Sequence, residues 1–354
     1  MKKKIVYIIY SLDTGGVEVA LLSALERLNT EFNFRLVCLK EYDFNLTKSF
    51  SADVLNNIVS FKGCIFNYFK AFFYIKKYKP DIMISSLWKS AILAIFIKIF
   101  SPSIKYVNFI HSTYFFHFFD NFFSKLAIKM SDIVFCDSQS SKKFVERYIL
   151  NKPIEVISFL RFKSQTKWFE KKEIRLKALY LGRFHEVKRL DNLIYFANQL
   201  IKNGLFFEID LYGRDDGTLE QSKKMICQLK LNDYVKFKGQ IESERVQDIF
   251  YNYDFYFQTS DVEGMSMSVV EAMQHGLICV VTNVGEIKNY ANDGKNALLF
   301  DAKNFEVEAK VMVTRVAKVL SDIKIANELS KNAFLQFYDL PVFSESLIKE
   351  LKKI

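Results

Sequence analysis

Short apolar runs alternate along this chain with longer stretches in which apolar residues recur every three or four positions. "KIVYIIY" is followed by "VEVALLSALERL", and "FRLVCLK", "DIMISS", "KYVNFIH" and "DIVFCDS" continue the series of short runs. Runs of four to eight β-branched and aromatic residues predict strands, and the three-to-four spacing predicts helices. After Asp137 comes "SQSSKKFVERYI", where Ser138 or Ser140 can cap a helix. The strands show no polar alternation, so both their faces are expected to be buried. Such strands alternating with helices predict a parallel, doubly wound sheet. The pattern lapses over about 158–175, in "SFLRFKSQTKWFEKKEIR". It then restarts with "LKALYLGR", "LDNLIYFANQLIKN", "FEIDLYG", "LEQSKKMICQLK", "YVKFKG", "SERVQDIFYN" and "DFYFQTS". The expected class is α/β with two Rossmann-like domains, 1–165 and 166–335. The tail 336–354, "LPVFSESLIKELKKI" at its end, is expected to be an amphipathic helix. A chain of 354 residues fits two domains of about 100–200 residues each.

In open parallel sheets, ligands bind beyond the carboxyl ends of the strands, so the residues there carry the candidate chemistry. After the first strand, Gly15 and Gly16 open a helix and can bring bare amides to an anion, or simply make a tight turn. The spacing is neither G-x-G-x-x-G nor a Walker P-loop. His111 follows "YVNFI"; it is either a satisfied core residue or a functional group at the mouth of the sheet. In "LYLGRFHEVKRLDNLI", Arg183 follows a strand and Lys188 stands at the start of the next helix. Two cations there can grip a diphosphate, although alone they read rather as two solvated charges, which are common on such turns. The segment 261–286, "DVEGMSMSVVEAMQHGLICVVTNVGE", holds two carboxylates eight positions apart. A helix ending at Gly276 places Glu263 in the loop before it and Glu271 about two turns in, pointing toward the same crevice. A carboxylate accepts two hydrogen bonds at once and so suits paired sugar hydroxyls.

Charge sharpens this picture. Residues 1–165 carry 23 Lys and Arg against 13 Asp and Glu, and residues 166–354 carry 27 of each, so the whole net charge of +10 lies in the first half. That asymmetry predicts an anionic partner for the first half. The five cysteines, Cys38, Cys64, Cys136, Cys227 and Cys279, form no C-x-x-C, and with four His no metal cluster is expected. They are expected to be free, buried thiols. "IVYIIY" is too short for a signal peptide, and "SAILAIFIKIF" falls well short of the ~20 residues that span a bilayer. The expectation is a soluble or peripheral cytoplasmic protein.

Taken together, these motifs resemble the group 1 retaining glycosyltransferases of family 4, bacterial surface-polysaccharide enzymes of GT-B fold. "GG-V-E" matches the family's glycine loop, "GR-x4-K" its diphosphate clamp, and "EGMSMSVVEAM" its E-x7-E segment, with "VTNVGEIKNYANDGKNALLF" following in order. The likeness is closest over about 175–300 and looser over 1–150. Glu286 stands where the family often has a second glycine. The resemblance implies two domains facing a cleft, an acceptor domain 1–165, a donor domain 166–335, and a C-terminal helix crossing back to the first. It implies that Arg183 and Lys188 hold the diphosphate, Glu271 the ribose and Glu263 the donor sugar. Gly264, Met265 and Ser266 would offer amides, and Gly213, Gly239, Gln240 and Ile241 would border the base. His111 would approach the donor sugar. The implied reaction moves a sugar from a nucleotide-diphosphate donor, UDP favoured over GDP, with retention and without metal or cofactor; no Asp-x-Asp occurs in the chain.

The implied acceptor is a glycan. The basic, Phe-rich stretches at 61–79, 90–100 and 112–129 point to a lipid-linked acceptor at the inner face of an anionic membrane, or else pack on the sheet. A nucleic-acid partner is not expected, because no reader motif is present. Two rivals remain open: a sugar-nucleotide epimerase of the same architecture, and a non-catalytic peripheral membrane protein, which would leave Arg183, Lys188, Glu263 and Glu271 unexplained.

Overall fold

The computed structural model describes residues 2–13, 15–42, 44–61, 66–149, 151–164, 167–242 and 245–354. Lys62 and Cys64 therefore lie outside the described residues. The chain forms two compact units, one of Met1–Phe162 with Pro341–Ile354 and one of Lys163–Leu340.

The first unit runs β1 (Lys4–Ile9), α1 (Gly16–Glu31), β2 (Asn33–Cys38), α2 (Ala52–Leu55), β3 (Ile58–Ser60), α3 (Phe66–Tyr78), β4 (Ile82–Ser86), α4 (Trp88–Phe100), β5 (Lys105–Ile110), α5 (Phe118–Met130), β6 (Ile133–Cys136), α6 (Gln139–Glu146) and β7 (Ile154–Val156). Its sheet is parallel throughout, in the order β3-β2-β1-β4-β5-β6-β7. β1 and β4 are buried along almost their whole length, which is why their sequences show no polar alternation. Ser138 caps α6 through a capping box with Ser141.

The second unit runs β8 (Lys177–Leu181), α7 (Leu190–Lys202), β9 (Glu208–Tyr212), α8 (Leu219–Gln228), β10 (Val235–Gly239), α9 (Val246–Phe250), β11 (Phe255–Gln258), α10 (Met267–Gln274), β12 (Ile278–Thr282), α11 (Ile287–Tyr290), β13 (Leu298–Phe300), α12 (Phe305–Ser321) and α13 (Ile323–Gln336). Its parallel sheet has the order β10-β9-β8-β11-β12-β13. Phe196, Phe207, Phe255, Phe257 and Phe300 fill the space between this sheet and its helices, so part of the high Phe content is ordinary core. The last helix, α14 (Phe343–Lys353), belongs to the first unit. It packs on α1, where Arg27 bonds Ser344, and its Phe343 stacks on Phe109 at 6.2 Å.

Both sheets reverse their winding once, between β1 and β4 and between β8 and β11. These are the topological switch points at which such folds leave a crevice for ligands. The three-residue strands β3, β7 and β13 are edge strands held by register to β2, β6 and β12. Cys38, Cys136 and Cys279 are buried free thiols, whereas Cys227 is exposed, on the outer surface of α8.

Candidate functional site

The second switch point is built from the chain leaving β8 and the chain leaving β11. After Gly182 and Arg183, Phe184 drops into the core and meets Phe237 edge-on at 5.3 Å. A 3₁₀ turn, Glu186–Lys188, follows, capped by His185. Lys188 thus closes that turn, two residues before α7 begins. Arg189 sits at φ +48 and locks the turn to the neighbouring loop. Its guanidinium bonds Asp191 and both Asp261 oxygens, its carbonyl accepts from Thr259, and the Asp261 N–H donates to Val187. These ties carry the Lys188 Nζ onto Glu263, at 2.7 and 2.9 Å from its two carboxylate oxygens. The Glu263 side chain is only 6% exposed. An ammonium has three N–H donors, and two are engaged here, leaving one for an anion.

Gln258 organises the floor beneath this pair. It ends β11 and is buried. Its Nε2 donates to Glu263 at 2.7 Å and to the Ser266 hydroxyl at 2.8 Å, while its Oε1 accepts from Tyr256 at 2.9 Å and from Ser268 at 3.2 Å. Both amide protons and both lone pairs are therefore used, which fixes the amide and the carboxylate resting on it. Burial raises the Tyr256 hydroxyl well above its ordinary pKa, so it serves as a neutral donor. Ser266 occupies the left-handed region at φ +55, costly for a residue with a Cβ, and the bond from Gln258 offsets part of that cost.

The backbone around Gly264 is fixed from the other side. The Gly264 carbonyl accepts from the Glu286 N–H at 3.0 Å, and the Met265 carbonyl accepts from the Tyr290 hydroxyl at 3.0 Å. In a planar trans peptide, C=O and N–H point oppositely. The Met265 and Ser266 amides therefore aim away from the Glu286–Tyr290 side. Gly285, at φ +58, makes this contact possible, because a Cβ there would lie 2.0 Å from the Glu263 carbonyl oxygen. Glu286 is buried and bonds Asn289.

Arg183 and Lys188 have different partners. Arg183 Nη1 bonds Asp216 at 3.0 Å, and Arg214 bonds the same carboxylate at 2.9 Å. The Arg214 guanidinium, with Arg183 beside it, holds the Asp216 carboxyl below its usual range. Gly213 lies between the ends of β8 and β10: its N–H donates to the Gly239 carbonyl, and a Cβ would lie 1.8 Å from the Gly182 carbonyl oxygen. Gly239, at φ +77, and Gln240 are exposed, and Ile241 is half-buried. Glu271 is the fifth residue of α10, hence one turn in rather than two, and is 3% exposed. α10 stops at Gln274 with His275 as its C-cap, and Gly276, at φ +67, follows just beyond it.

In the first unit, Gly15 caps α1 and Gly16 is its first residue. The Glu18 carboxylate folds back over Gly15, within 2.4 Å of where a Cβ would stand. His111 follows β5, and its side chain is only 4% exposed. Its Nε2 meets the Ser86 hydroxyl at 3.0 Å, and Ser86 in turn meets the Tyr7 hydroxyl at 2.5 Å. The Asp137 carboxylate lies 3.8 Å from Nδ1. Burial pushes the His111 pKa down to about 3, so the imidazole is neutral. Leu87, the residue after Ser86, is held at φ +69 at this switch point.

Lys188, Glu263, Gly264, Met265 and Ser266 thus form one connected cluster, and Arg183 with Gly213 a second on the same sheet edge. Sequence reasoning passes over Gln258, Tyr256, Arg214, Asp216 and Gly285. A polar residue ending a buried strand in "DFYFQTS" and the acids of "YGRDD" are the available signals. Among the described residues no group of three or more His, Cys, Asp or Glu is arranged to hold a metal ion.

Two Rossmann-like parallel domains, the second with a charged switch point, constitute the GT-B fold. The chain belongs to the group 1 glycosyltransferases of family 4: the model for glycosyl transferases group 1 matches residues 161–336, and that for glycosyltransferase family 4 matches residues 14–158. The Escherichia coli O-antigen biosynthesis glycosyltransferase WbnH is 27% identical over 160 residues, 44% of this chain and 43% of that one. Staphylococcus aureus Protein CapJ is 22% identical over 184 residues, 42% of this chain and 46% of its own length. The matched segments span less than half the length of these curated relatives. Anabaena HepE, solved in complex with UDP, shares the fold with a TM-score of 0.80 over 99% of this chain and 100% of that chain, at 15% identity.

Proposed function

We propose that this protein transfers a sugar from a nucleotide-diphosphate donor to a glycan during surface-polysaccharide synthesis, of O-antigen, capsule or lipopolysaccharide type. The observation that carries the reading is the second switch point, where Lys188 and Gln258 both bond the Glu263 carboxylate and the Met265 and Ser266 amides aim away from the Glu286–Tyr290 side. Departure of a nucleoside diphosphate builds negative charge on its phosphates. Lys188, Arg183 and backbone amides at the start of α10 stabilise that charge without a metal ion. Glu263, freed from Lys188 as the phosphate arrives, accepts hydrogen bonds from donor-sugar hydroxyls. Glu271 holds the ribose, and the base lies along Gly213, Gly239, Gln240 and Ile241. UDP is favoured over GDP, in keeping with HepE, which has been solved with UDP and UDP-glucose. Transfer retains the anomeric configuration. Gly15 and Gly16 offer bare amides to the donor, and His111, enclosed by Ser86 and Asp137, supports the end of β5. The acceptor is lipid-linked, reached at the cytoplasmic face of the membrane.

Titration of UDP, GDP and UDP-sugars into the wild type and the Lys188→Ala and Arg183→Ala variants tests this. Both variants should bind UDP at least tenfold more weakly and lose transfer by orders of magnitude while keeping their melting temperature within a few degrees. Unchanged UDP affinity in both would overturn the assignment. Transfer should survive EDTA. Conversion of the donor to its epimer in the absence of acceptor would replace the transferase with an epimerase.

A further inference from the structure

The first unit carries a surface that the chemistry above does not use. On α3, Phe66, Phe69 and Phe73 are each more than half exposed, and Lys70 and Lys77 continue the same stripe at helical spacing. The opposite side of the helix, with Asn67, Ala71 and Ile75, is buried. On α4, Phe96, Ile99 and Phe100 are likewise exposed. On α5, Phe118 and Phe122 start a stripe that Lys125 and Lys129 extend, with Phe119 alongside at 60% exposure. The three helices are neighbours on one face of the sheet. The Phe72 and Phe100 rings meet at 5.9 Å, and Lys76 of α3 donates to the Phe100 carbonyl and the Ser101 hydroxyl. The aromatic stripes are therefore parts of one apolar area, far larger than singly scattered surface residues make.

Charge identifies the occupant. The three helices contain seven lysines and one acid, Asp120, which is buried and bonds Ser124 and the Phe116 N–H. Every exposed ionised side chain on them is thus a cation. A face that opposed a second copy of itself would set lysine against lysine. A surface of protruding Phe rings with lysines between them matches an anionic bilayer, whose headgroup boundary accepts the rings and whose phosphates attract the cations. Among the described residues no helix is long and apolar enough to cross a membrane, so the contact is with one leaflet.

We infer that the outer face of α3, α4 and α5 docks on a bilayer of anionic phospholipid. This names the partner surface for the lipid-linked acceptor and rests on that reading only for the purpose of the contact, since binding is measured without transfer. The test is flotation of the full chain with vesicles of phosphatidylglycerol and phosphatidylcholine, with UDP affinity measured on the same samples. Vesicles rich in phosphatidylglycerol should bind at least roughly tenfold more protein than pure phosphatidylcholine, and binding should fall as salt rises. A Phe66→Ser, Phe69→Ser, Phe73→Ser variant and a Lys70→Glu, Lys77→Glu, Lys129→Glu variant should each lose vesicle binding while keeping wild-type UDP affinity. Absence of binding at low salt, or equal binding to both lipids, overturns the inference even when UDP still binds. So does a dimeric wild type that the Phe→Ser changes make monomeric, because the face would then belong to a second copy. Loss of UDP binding in a wild type that still floats would instead remove the nucleotide-sugar reading and leave the docking surface standing.

Discussion

Replacing Gly285 by Ala isolates what the Glu263 loop requires of its neighbour. Two costs arise. Residue 285 has φ +58, which disfavours any residue with a Cβ by roughly 1–2 kcal/mol. The added Cβ would also stand 2.0 Å from the Glu263 carbonyl oxygen and 3.0 Å from that of Gly264. Carbon and oxygen do not approach so closely, so one of the two backbones must retreat by about 1 Å. Gly204 separates the two costs: its φ is +80, and nothing lies within 4 Å of where a Cβ would stand. Gly204→Ala therefore carries the dihedral cost alone, a fall in melting temperature of about 2–8 °C for a domain of this size. Gly285→Ala carries that cost and a displaced loop. The displacement acts on the bond between Glu286 and Gly264 and on the direction of the Met265 and Ser266 amides. A 1 Å misplacement of positioning groups can lower turnover on the order of 100-fold. Differential scanning calorimetry and UDP titration of the two variants decide the matter. If Gly285→Ala matches Gly204→Ala in both melting temperature and UDP affinity, the close approach does not position the loop and the reasoning fails.

The architecture is legible in the apolar pattern, because strands buried on both faces admit few polar residues. The edge strands β3, β7 and β13 are not, because three residues give no period, and their pairing is set by neighbours already in the sheet. At the site, charge at strand ends is legible and pairing is not. Lys188 and Arg183 read as one clamp, yet backbone ties through Arg189 deliver Lys188 to Glu263, while Arg183 turns to Asp216. Which carboxylate meets which cation depends on the three-dimensional path of two loops, and spacing does not encode it. The Phe-rich stretches divide in the same way. Phe196 and Phe257 are core, whereas Phe66 and Phe118 project, and only the placement of each helix on its sheet distinguishes them.

Further measurements probe the buried polar groups. Gln258→Leu strips Glu263 and Ser266 of a shared donor and should cost about 2–3 kcal/mol in urea unfolding. Ser266→Gly in that background should recover about 1 kcal/mol by relieving the left-handed strain; strict additivity of the two changes would show that the residues are not coupled. Glu271→Gln should weaken free UDP, whereas Glu263→Gln should chiefly weaken the intact UDP-sugar; equal losses for both ligands in both variants would remove the division of roles. The last test concerns His111, packed against Phe109 and Phe159 with Ser86 and Asp137 at its nitrogens. Burial lowers its folded pKa to about 3, below the ~6.5 of an unfolded histidine. Between those values the unfolded chain binds a proton that the native chain does not. The contribution of His111 is therefore fully present above about pH 6.5 and declines as pH falls, by up to about 1.4 kcal/mol per pH unit. Carboxylates add their own slope only nearer pH 5 and below, so the interval from 6.5 to 5.5 reports mainly on histidine. His275, also lowered by burial, contributes in the same direction and remains in both proteins compared. Urea midpoints at pH 7.5, 6.5 and 5.5 should show the wild type losing stability more steeply than His111→Gln. Parallel curves, or a directly titrated His111 with a pKa near 6.5, would mean that the imidazole is open to water in solution and free to meet a ligand after all.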